Sequence, residues 1–184
     1  EQSVDKKLDS IDRNIVRASS IAKELLQFSR ETNATFETIN LNEVIRSSNS
    51  LIKSQDLSSI VTLQLGEITD IMGIPYKLEE VFINLLMNSI DACTEGDSIE
   101  VETFLCSDQV VAQITDTGHG IHPDDINQVF DPFFTTKDIG KGTGLGLSVC
   151  YNIIKQHQGE ITLVSSENGG AVVTITLPTA ERDD

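Results

Sequence analysis

The sequence predicts an α/β sandwich preceded by a separate N-terminal bundle helix. Apolar residues in positions 1–30 recur at alternating spacings of four and three, as in a helix that packs against other helices. From residue 41 onward, segments of helical periodicity alternate with segments of the period-two alternation typical of strands. Six of the twelve glycines fall between Gly118 and Gly146, which indicates a specialised loop region in the second part.

The composition limits the classes of ligand. The chain has 184 residues, 39% of them hydrophobic, which suits one ordinary domain with a sizeable core plus an appendage. Lys and Arg total 13 against 29 Asp and Glu, a formal net charge of −16. This charge argues against contact with nucleic acid or an anionic membrane through a general positive field. Any phosphate ligand must therefore be held by local groups.

Cysteine usage and hydropathy point to the cytoplasm. The three cysteines, Cys93, Cys106 and Cys150, are too widely spaced for a Cys-x-x-Cys metal site, and we expect reduced core thiols. No run approaches the roughly 20 apolar residues of a membrane span, and Glu1 opens no signal peptide. We expect a cytoplasmic chain that is part of a longer protein.

The first segment has the seam of a coiled-coil or bundle helix. A face of this kind needs a partner helix, from an upstream segment or from a second copy of the chain. The alternative is a helix folded back onto its own domain. The resulting division is a bundle helix at 1–31, a linker at 32–40, a domain at 41–180 and a tail at 181–184. The seam consists of Val4, Leu8, Ile11, Ile15, Ala18, Ala22 and Leu25.

The domain alternates predicted helices and strands. Apolar periodicity sets the elements, and glycine or proline marks several of their ends. The final two strands pair across a turn at 168–170, where glycine supplies positive φ. The predicted helices are 42–55, 77–95 and 145–156, and the predicted strands are 60–65, 99–105, 110–114, 160–164 and 172–177.

The second of these helices carries a polar stripe formed by Lys77, Glu80, Asn84, Asn88 and Asp91 at helical spacing. An exposed surface would explain most stripes of this kind. Asn is a poor helix former, however, and two of them one turn apart favour a ligand or a partner. The amide oxygen is a neutral, hard ligand suited to Mg²⁺ that also binds waters and phosphates.

A second candidate position is Asp116, which follows a buried strand and precedes Gly118 and Gly120. An ordinary Asx turn is one explanation. The functional explanation is an acceptor for the exocyclic amine of adenine, with the glycines allowing the backbone to approach the base.

A third candidate is the run Gly-Thr-Gly-Leu-Gly at 142–146, immediately before a predicted helix. Free N–H groups at a helix N-terminus form an anion nest, which could hold a polyphosphate despite the net charge. Lys137 and Lys141 add local positive charge. The run matches neither the Walker A loop nor the Rossmann fingerprint. A flexible glycine-rich loop without a ligand is the alternative.

The segment at 117–143 has little regular pattern, and so long a loop in a compact domain is usually functional. It contains Phe130, Phe133 and Phe134. These aromatics would anchor a mobile cover over the pocket.

Together these motifs resemble the conserved boxes of sensor histidine kinases. Residues 80–92 resemble the N box, 116–120 the G1 box, 131–137 the F box and 142–146 the G2 box. The resemblance covers about 41–178 and implies the Bergerat ATP-binding fold, a two-layer α/β sandwich. The N-terminal helix is similar to the second helix of the family's dimerisation hairpin, which implies a homodimer.

The resemblance also implies roles for the site residues. Asn88 would ligate Mg²⁺ that bridges the phosphates, Asn84 would support it, and Asp116 would hold the adenine amine. Lys137 would act with the two asparagines in catalysis, and Lys141 would add charge. The implied nucleotide-binding positions are Asn84, Asn88, Asp91, Asp116, Gly118, Gly120, Ile121, Phe130, Thr135, Thr136, Lys137, Lys141, Gly142, Thr143, Gly144, Leu145, Gly146 and Leu147.

The implied function is transfer of the γ-phosphate of Mg·ATP to a hairpin histidine, for relay to an aspartate of a response regulator. The chain would then be cytoplasmic, or the cytoplasmic part of a membrane-anchored sensor. The family's acceptor histidine lies upstream of this sequence. His119 and His122 fall in the nucleotide loop and His157 ends a helix, so we expect no autophosphorylation by this chain alone.

Three alternatives share the fold. An ATP-driven conformational ATPase would use a Glu where Asn84 stands, and an amide cannot act as a general base. A serine kinase of an anti-sigma antagonist would lack the preceding heptad helix. A pseudo-enzyme that binds partners but not ATP would not need complete motifs.

Overall fold

The computed structural model describes residues 35–53, 61–137, 142–166 and 169–180. The predicted bundle helix, the tail at 181–184 and Lys141 lie outside the described residues. The helices are α1 (Leu41–Lys53), α2 (Pro75–Ala92) and α3 (Gly146–Gln156). The strands are β1 (Glu37–Ile39), β2 (Val61–Leu65), β3 (Ile71–Gly73), β4 (Ile99–Cys106), β5 (Gln109–Asp116), β6 (Glu160–Ser165) and β7 (Ala171–Pro178).

Five strands form the main sheet in the order β2-β4-β5-β7-β6. β2 runs parallel to β4, and the other neighbouring pairs are antiparallel. β5 is the central strand, and it ends at Asp116. The carboxylate of Asp116 therefore lies at the end of the sheet, as the sequence predicts.

The helices cover one face of this sheet. α2 contacts both α1 and α3, and it also contacts β5, while α3 contacts β6. Alternate strand residues such as Val101, Ile114 and Ile175 join the helical residues Leu85 and Ile154 in a single buried core. Burial of this apolar surface stabilises the two-layer arrangement. The α/β sandwich predicted from the sequence is confirmed.

The two-stranded sheet of β1 and β3 was not predicted. Glu37 pairs with Gly73 and Ile39 with Ile71, in antiparallel register. Residues 37–39 fall in the range assigned to a linker, so that part of the assignment is wrong and the strand belongs to the domain. Each strand has three residues, which is too short for a period-two pattern to stand out.

The boundaries of α2 also differ from the prediction. The helix begins at Pro75 rather than at residue 77, because proline is favoured in the first turn, where its missing N–H needs no partner. It ends at Ala92, since Cys93 is extended and the Thr94 N–H bonds to the Asp97 side chain. The predicted end at residue 95 was therefore three residues too late.

The cysteines have different surroundings. Cys150 is buried in the core, where burial raises the pKa of its thiol. Cys93 is half-buried, and Cys106 is exposed, so the prediction of a core thiol is wrong for Cys106. All three are unbridged. The described helices are too short or too polar to cross a lipid bilayer.

Candidate functional site

Three elements bring the predicted motifs together around the C-terminal half of α2. The end of β5 meets the end of this helix, where a Cβ added to Gly118 would lie 2.4 Å from the Ala92 carbonyl oxygen. The start of α3 meets its middle, where a Cβ added to Gly146 would lie 3.5 Å from Oδ1 of Asn84. The motifs therefore share one site, as the sequence predicts.

The polar stripe of α2 divides between two environments. Lys77 is 3% exposed at the far end of the helix, and its ammonium donates to the Gln156 side chain. Asn84, Asn88 and Asp91 are on the half of the helix that meets the glycine motifs. The exposed-surface explanation of the stripe therefore fails for Asn84 and Asn88, which are partly buried, whereas Asp91 is exposed and pairs with Lys137.

Lys137 joins the F-box segment to this helix. Its ammonium donates to Oδ1 of Asn88 over 3.2 Å and to Oδ2 of Asp91 over 2.7 Å. The amide of Asn88 thus presents its oxygen, rather than its NH₂ group, to a positive charge. This is the orientation that a hard cation requires.

The described His, Cys, Asp and Glu side chains do not form a metal site by themselves. Among the described residues there is no cluster of three His, Cys, Asp or Glu side chains that could hold an ion. A metal beside Asn88 would need ligands from water and from phosphate. Mg²⁺ is commonly bound in this way, with few protein oxygens, so the donor set fits Mg²⁺ carried by a nucleotide.

The glycine motif at 142–146 leads directly into α3. Leu145 precedes the helix without a side-chain cap, so the first N–H groups of α3 are available to an anion. Gly144 has φ of +70° and accepts a hydrogen bond from the Phe133 N–H over 2.8 Å. A Cβ on Gly144 would lie 2.4 Å from the Phe133 carbonyl carbon. The F-box backbone therefore packs directly on the glycine motif, and only glycine fits there.

Asp116 is 4% exposed and is held by the backbone from two directions. Its Oδ1 accepts from the Gly118 N–H and from the Ala171 N–H, each over 3.1 Å. The first bond is the Asx turn that the sequence left as an alternative. The second comes from the first residue of β7, so the carboxylate is held by more than the Asx turn.

Gly170 was missed as a site residue by the sequence reasoning. A Cβ there would lie 1.9 Å from the Asp116 carbonyl oxygen, and a Cβ on Gly120 would lie 2.9 Å from the Gly170 carbonyl oxygen. The Gly-Gly pair at 169–170 was attributed to the turn between β6 and β7. Its second glycine also lets this turn pack on the Asp116 loop, and sequence alone gives no signal for that contact.

Other predicted positions lie around the same loops. The Ile121 backbone both donates to and accepts from the Ser165 hydroxyl at the end of β6. Thr135 accepts from the Lys137 N–H, and a Cβ on Gly142 would lie 2.8 Å from the Thr135 hydroxyl oxygen. The Thr143 hydroxyl accepts from the Leu145 N–H. Thr136 is exposed, and Leu147 is partly buried against the core.

The three phenylalanines of the predicted cover differ in packing. Phe130 packs against the core, and its ring centroid lies 5.6 Å from that of Tyr151 on α3. Phe134 is half-buried, whereas Phe133 is 55% exposed. One phenylalanine is thus an anchor, while mobility of the segment stays a prediction.

The histidines are placed as the sequence indicates. His119 and His122 are exposed in the loop after Asp116. His157 is 2% exposed at the end of α3, where Nδ1 donates to the Ile153 carbonyl and Nε2 accepts from the Ile74 N–H. Both nitrogens of His157 are engaged, which leaves it unsuited to accept a phosphoryl group.

Fold and site together define an ATP-binding α/β domain whose acidic, amide and glycine motifs meet around α2. A model of the family "Histidine kinase-, DNA gyrase B-, and HSP90-like ATPase" matches residues 73–181. The chain belongs to this family, and its relatives within it are sensor histidine kinases.

The sensor histidine kinase ZraS of Salmonella typhimurium is 38% identical over 170 residues, covering 90% of this chain and 36% of the relative. The chain thus spans about a third of that protein. The catalytic domain of histidine kinase ThkA has a TM-score of 0.68 and 31% identity, covering 78% of this chain and 95% of that structure. ThkA in complex with the response regulator TrrA has a TM-score of 0.74 and 27% identity, covering 100% of this chain and 54% of that one.

Proposed function

We propose that this chain binds Mg·ATP and transfers its γ-phosphate to a histidine on a dimerisation hairpin, for relay to an aspartate of a response regulator. The observation that carries the proposal is the grouping of Asn88, Asp91 and Lys137 beside the uncapped start of α3. This grouping offers a cation site and an anion site side by side, as a metal–polyphosphate ligand needs.

The proposed roles follow from the contacts. Asn88 holds Mg²⁺, which when bound neutralises phosphate charge, and Asn84 supports the site from one turn earlier. Lys137 moves from Asn88 and Asp91 to the phosphates when the nucleotide binds. Gly142, Gly144 and Gly146 supply backbone N–H groups to the phosphates, and Asp116 accepts from the adenine amine. Phosphoryl transfer depends mainly on such positioning and electrostatics.

The remaining proposed contacts surround these groups. Thr135, Thr136 and Thr143 present hydroxyls near the phosphates, while Ile121, Phe130, Leu145 and Leu147 line the nucleotide with apolar surface. Gly118 and Gly120 let the backbone approach the base. Lys141, which lies outside the described residues, adds positive charge.

We propose that the acceptor is a histidine outside these 184 residues. His119 and His122 lie beside the base end of the site, and His157 is buried. This chain alone then binds ATP without phosphorylating itself. In this proposal the segment 1–31, which lies outside the described residues, pairs with a second copy of the chain. A receiver domain takes the phosphoryl group, which the complex of ThkA with the response regulator TrrA supports. The site is cytoplasmic, where ATP is available.

The second candidate function is an ATP-driven conformational ATPase, because the family also includes gyrase-like and HSP90-like ATPases. Asn84 argues against it. The amide of Asn84 faces Gly146 at the start of α3, and an amide cannot take a proton from water. Slow hydrolysis and transfer to a side chain are the expected result.

The test is a Mg·ATP titration with phosphate release followed in the same samples and an added hairpin protein carrying the acceptor histidine. Binding with negligible release, and label on the hairpin, supports the histidine kinase. Rapid release without transfer supports the ATPase instead. Absence of binding contradicts both.

A further inference from the structure

The turn between α2 and β4 contains a carboxylate bonded to three donors. Oδ2 of Asp97 accepts from the Thr94 N–H over 2.7 Å and from the Thr94 hydroxyl over 2.9 Å. Oδ1 accepts from the Thr117 hydroxyl over 3.1 Å. One carboxylate therefore links this turn to a residue 20 positions further along the chain.

Thr117 is the residue between Asp116 and Gly118, the two positions proposed to meet adenine. Its hydroxyl oxygen also accepts from the Ser98 N–H over 3.0 Å, and its own N–H donates to the Ser98 carbonyl over 3.1 Å. Thr117 is thus held on its side chain and its backbone by the segment 97–98. The planar peptide bonds on either side of Thr117 therefore restrict the positions of Asp116 and Gly118 as well.

The same loop is fixed on its other side by α2. The His119 N–H donates to the Ala92 carbonyl over 3.2 Å, and the close approach of Gly118 to that carbonyl leaves no room for a side chain. The turn held by Asp97 follows directly after Ala92. Asp97 is therefore one of the contacts that hold the end of α2 and the loop that carries Asp116 together.

We propose that Asp97 is a positioning residue for adenine recognition, acting through Thr117 to hold Asp116 and Gly118 in place. This inference rests on the proposed nucleotide function. The printed hydrogen bonds of the Asp97 side chain go to Thr94 and Thr117, so we expect its effect at the end of the site where Thr117 lies. The proposed phosphate end lies at Asn88, one turn before the end of α2, and at Gly146, the first residue of α3.

The charge state of Asp97 agrees with this role. Hydrogen bonds from the Thr94 backbone, the Thr94 hydroxyl and the Thr117 hydroxyl lower the pKa of the Asp97 carboxyl, so it is ionised at neutral pH. An ionised carboxylate makes stronger, shorter hydrogen bonds than a neutral acceptor does. An asparagine at this position would keep one acceptor oxygen only.

The test compares two probes on the whole chain, Mg·ADP and Mg·tripolyphosphate, which lacks the base. We expect Asp97→Ala to weaken Mg·ADP by about fivefold to tenfold and to leave Mg·tripolyphosphate within about twofold. Thr117→Val should behave in the same way, whereas Thr117→Ser, which keeps the hydroxyl, should bind as the unaltered protein does. Asp108→Ala removes the same charge at the opposite end of the β4–β5 hairpin and should change neither affinity.

Equal affinity of Asp97→Ala and the unaltered protein for Mg·ADP would overturn the inference, as would equal losses for both probes. If Asp97→Ala does not fold, Thr117→Val decides. If the unaltered protein binds neither probe, the proposed function fails. Hydrogen exchange then decides whether Asp97 positions the loop, since faster exchange of the His119 amide in Thr117→Val supports the constraint and unchanged exchange refutes it.

Discussion

At the scale of single residues, the orientation of Asn88 gives the site its chemical character. Its side-chain oxygen accepts from the Lys137 ammonium, and Asp91 accepts from the same group. The Lys137–Asp91 pair is 35% and 48% exposed, so its contribution to folding is small. We therefore expect these residues to matter for ligand binding more than for the stability of the domain.

Replacement of Asn88 by alanine tests the metal assignment. We expect Asn88→Ala to weaken ADP binding in the presence of Mg²⁺ by about tenfold or more, because the amide ligand is lost. Binding measured in EDTA should change little. Asn152→Ala, at an exposed position on α3, is the matched control and should bind normally. Unchanged Mg·ADP affinity in Asn88→Ala would exclude the assignment.

At the scale of elements, the turn before β7 packs closely against the end of β5. Gly170 has φ of +83°, a left-handed conformation, and it packs against the Asp116 backbone. Gly96 has φ of +97°, but a Cβ there would meet no atom within 4 Å. Alanine at Gly96 would therefore meet backbone strain alone, whereas alanine at Gly170 would meet both backbone strain and a steric clash.

Alanine at these two positions should have unequal effects. Gly96→Ala should lower the free energy of unfolding by about 1 kcal/mol, since only the left-handed backbone is strained. Gly170→Ala adds a clash with the Asp116 carbonyl and should cost about 3 kcal/mol. Urea denaturation measures both values. Equal losses would show that the turn moves away from Asp116 at no cost.

His157 links elements at the end of α3 opposite to the glycine motif. It joins the end of α3 to the start of α2 through the Ile74 N–H, and its ring centroid lies 5.0 Å from that of Phe36. Burial lowers the pKa of His157, and the charge of Lys77 lowers it further, against an opposing hydrogen bond to the Ile153 carbonyl. The native state therefore favours the neutral ring.

Because of His157, the free energy of unfolding should depend on pH between the folded-state pKa of this residue and pH 6.5. Because the folded-state pKa lies below 6.5, the unfolded chain binds a proton first as the pH falls below that value. The contribution of His157 is complete above pH 6.5 and is lost as the pH falls to the folded-state pKa. Urea denaturation across this range should show the loss. His157→Gln should reduce this pH-dependent loss of stability, whereas the exposed control His122→Gln should leave it unchanged.

At the scale of the whole molecule, the proposed site would hold a polyphosphate in a protein of net charge −16. The long-range field repels an anionic ligand, whereas Lys137 and the α3 N-terminus attract it at close range. The repulsive part is screened by salt, since the Debye length falls from about 30 Å at 0.01 M to about 8 Å at 0.15 M.

Raising the ionic strength over this range should therefore strengthen Mg·ADP binding by about twofold. Calorimetric titration at several NaCl concentrations measures the effect, with uncharged adenosine as the control ligand that should not respond. A decrease in Mg·ADP affinity from the lowest salt onward would show that the local positive groups dominate the field.

The sequence by itself determined the elements and motifs that depend on local pattern. Periodicity predicted α2 and the strands β4 and β5, because burial of one face repeats along the chain. The order of the Asn, Asp-Gly, Phe and Gly motifs indicated the family, and it predicts a nucleotide site that includes Asn88 and Asp116. These features are properties of neighbouring residues, so the sequence contains them directly.

The tertiary structure alone decided the contacts between distant segments. The pairing of β1 with β3, the packing of Gly170 on Asp116 and the bond from Thr117 to Asp97 each join residues well separated along the chain. No local periodicity encodes them, because each depends on how the sheet and helices pack. Local sequence patterns thus determined the fold class and the chemical groups of the site, whereas tertiary packing determined the distances between those groups.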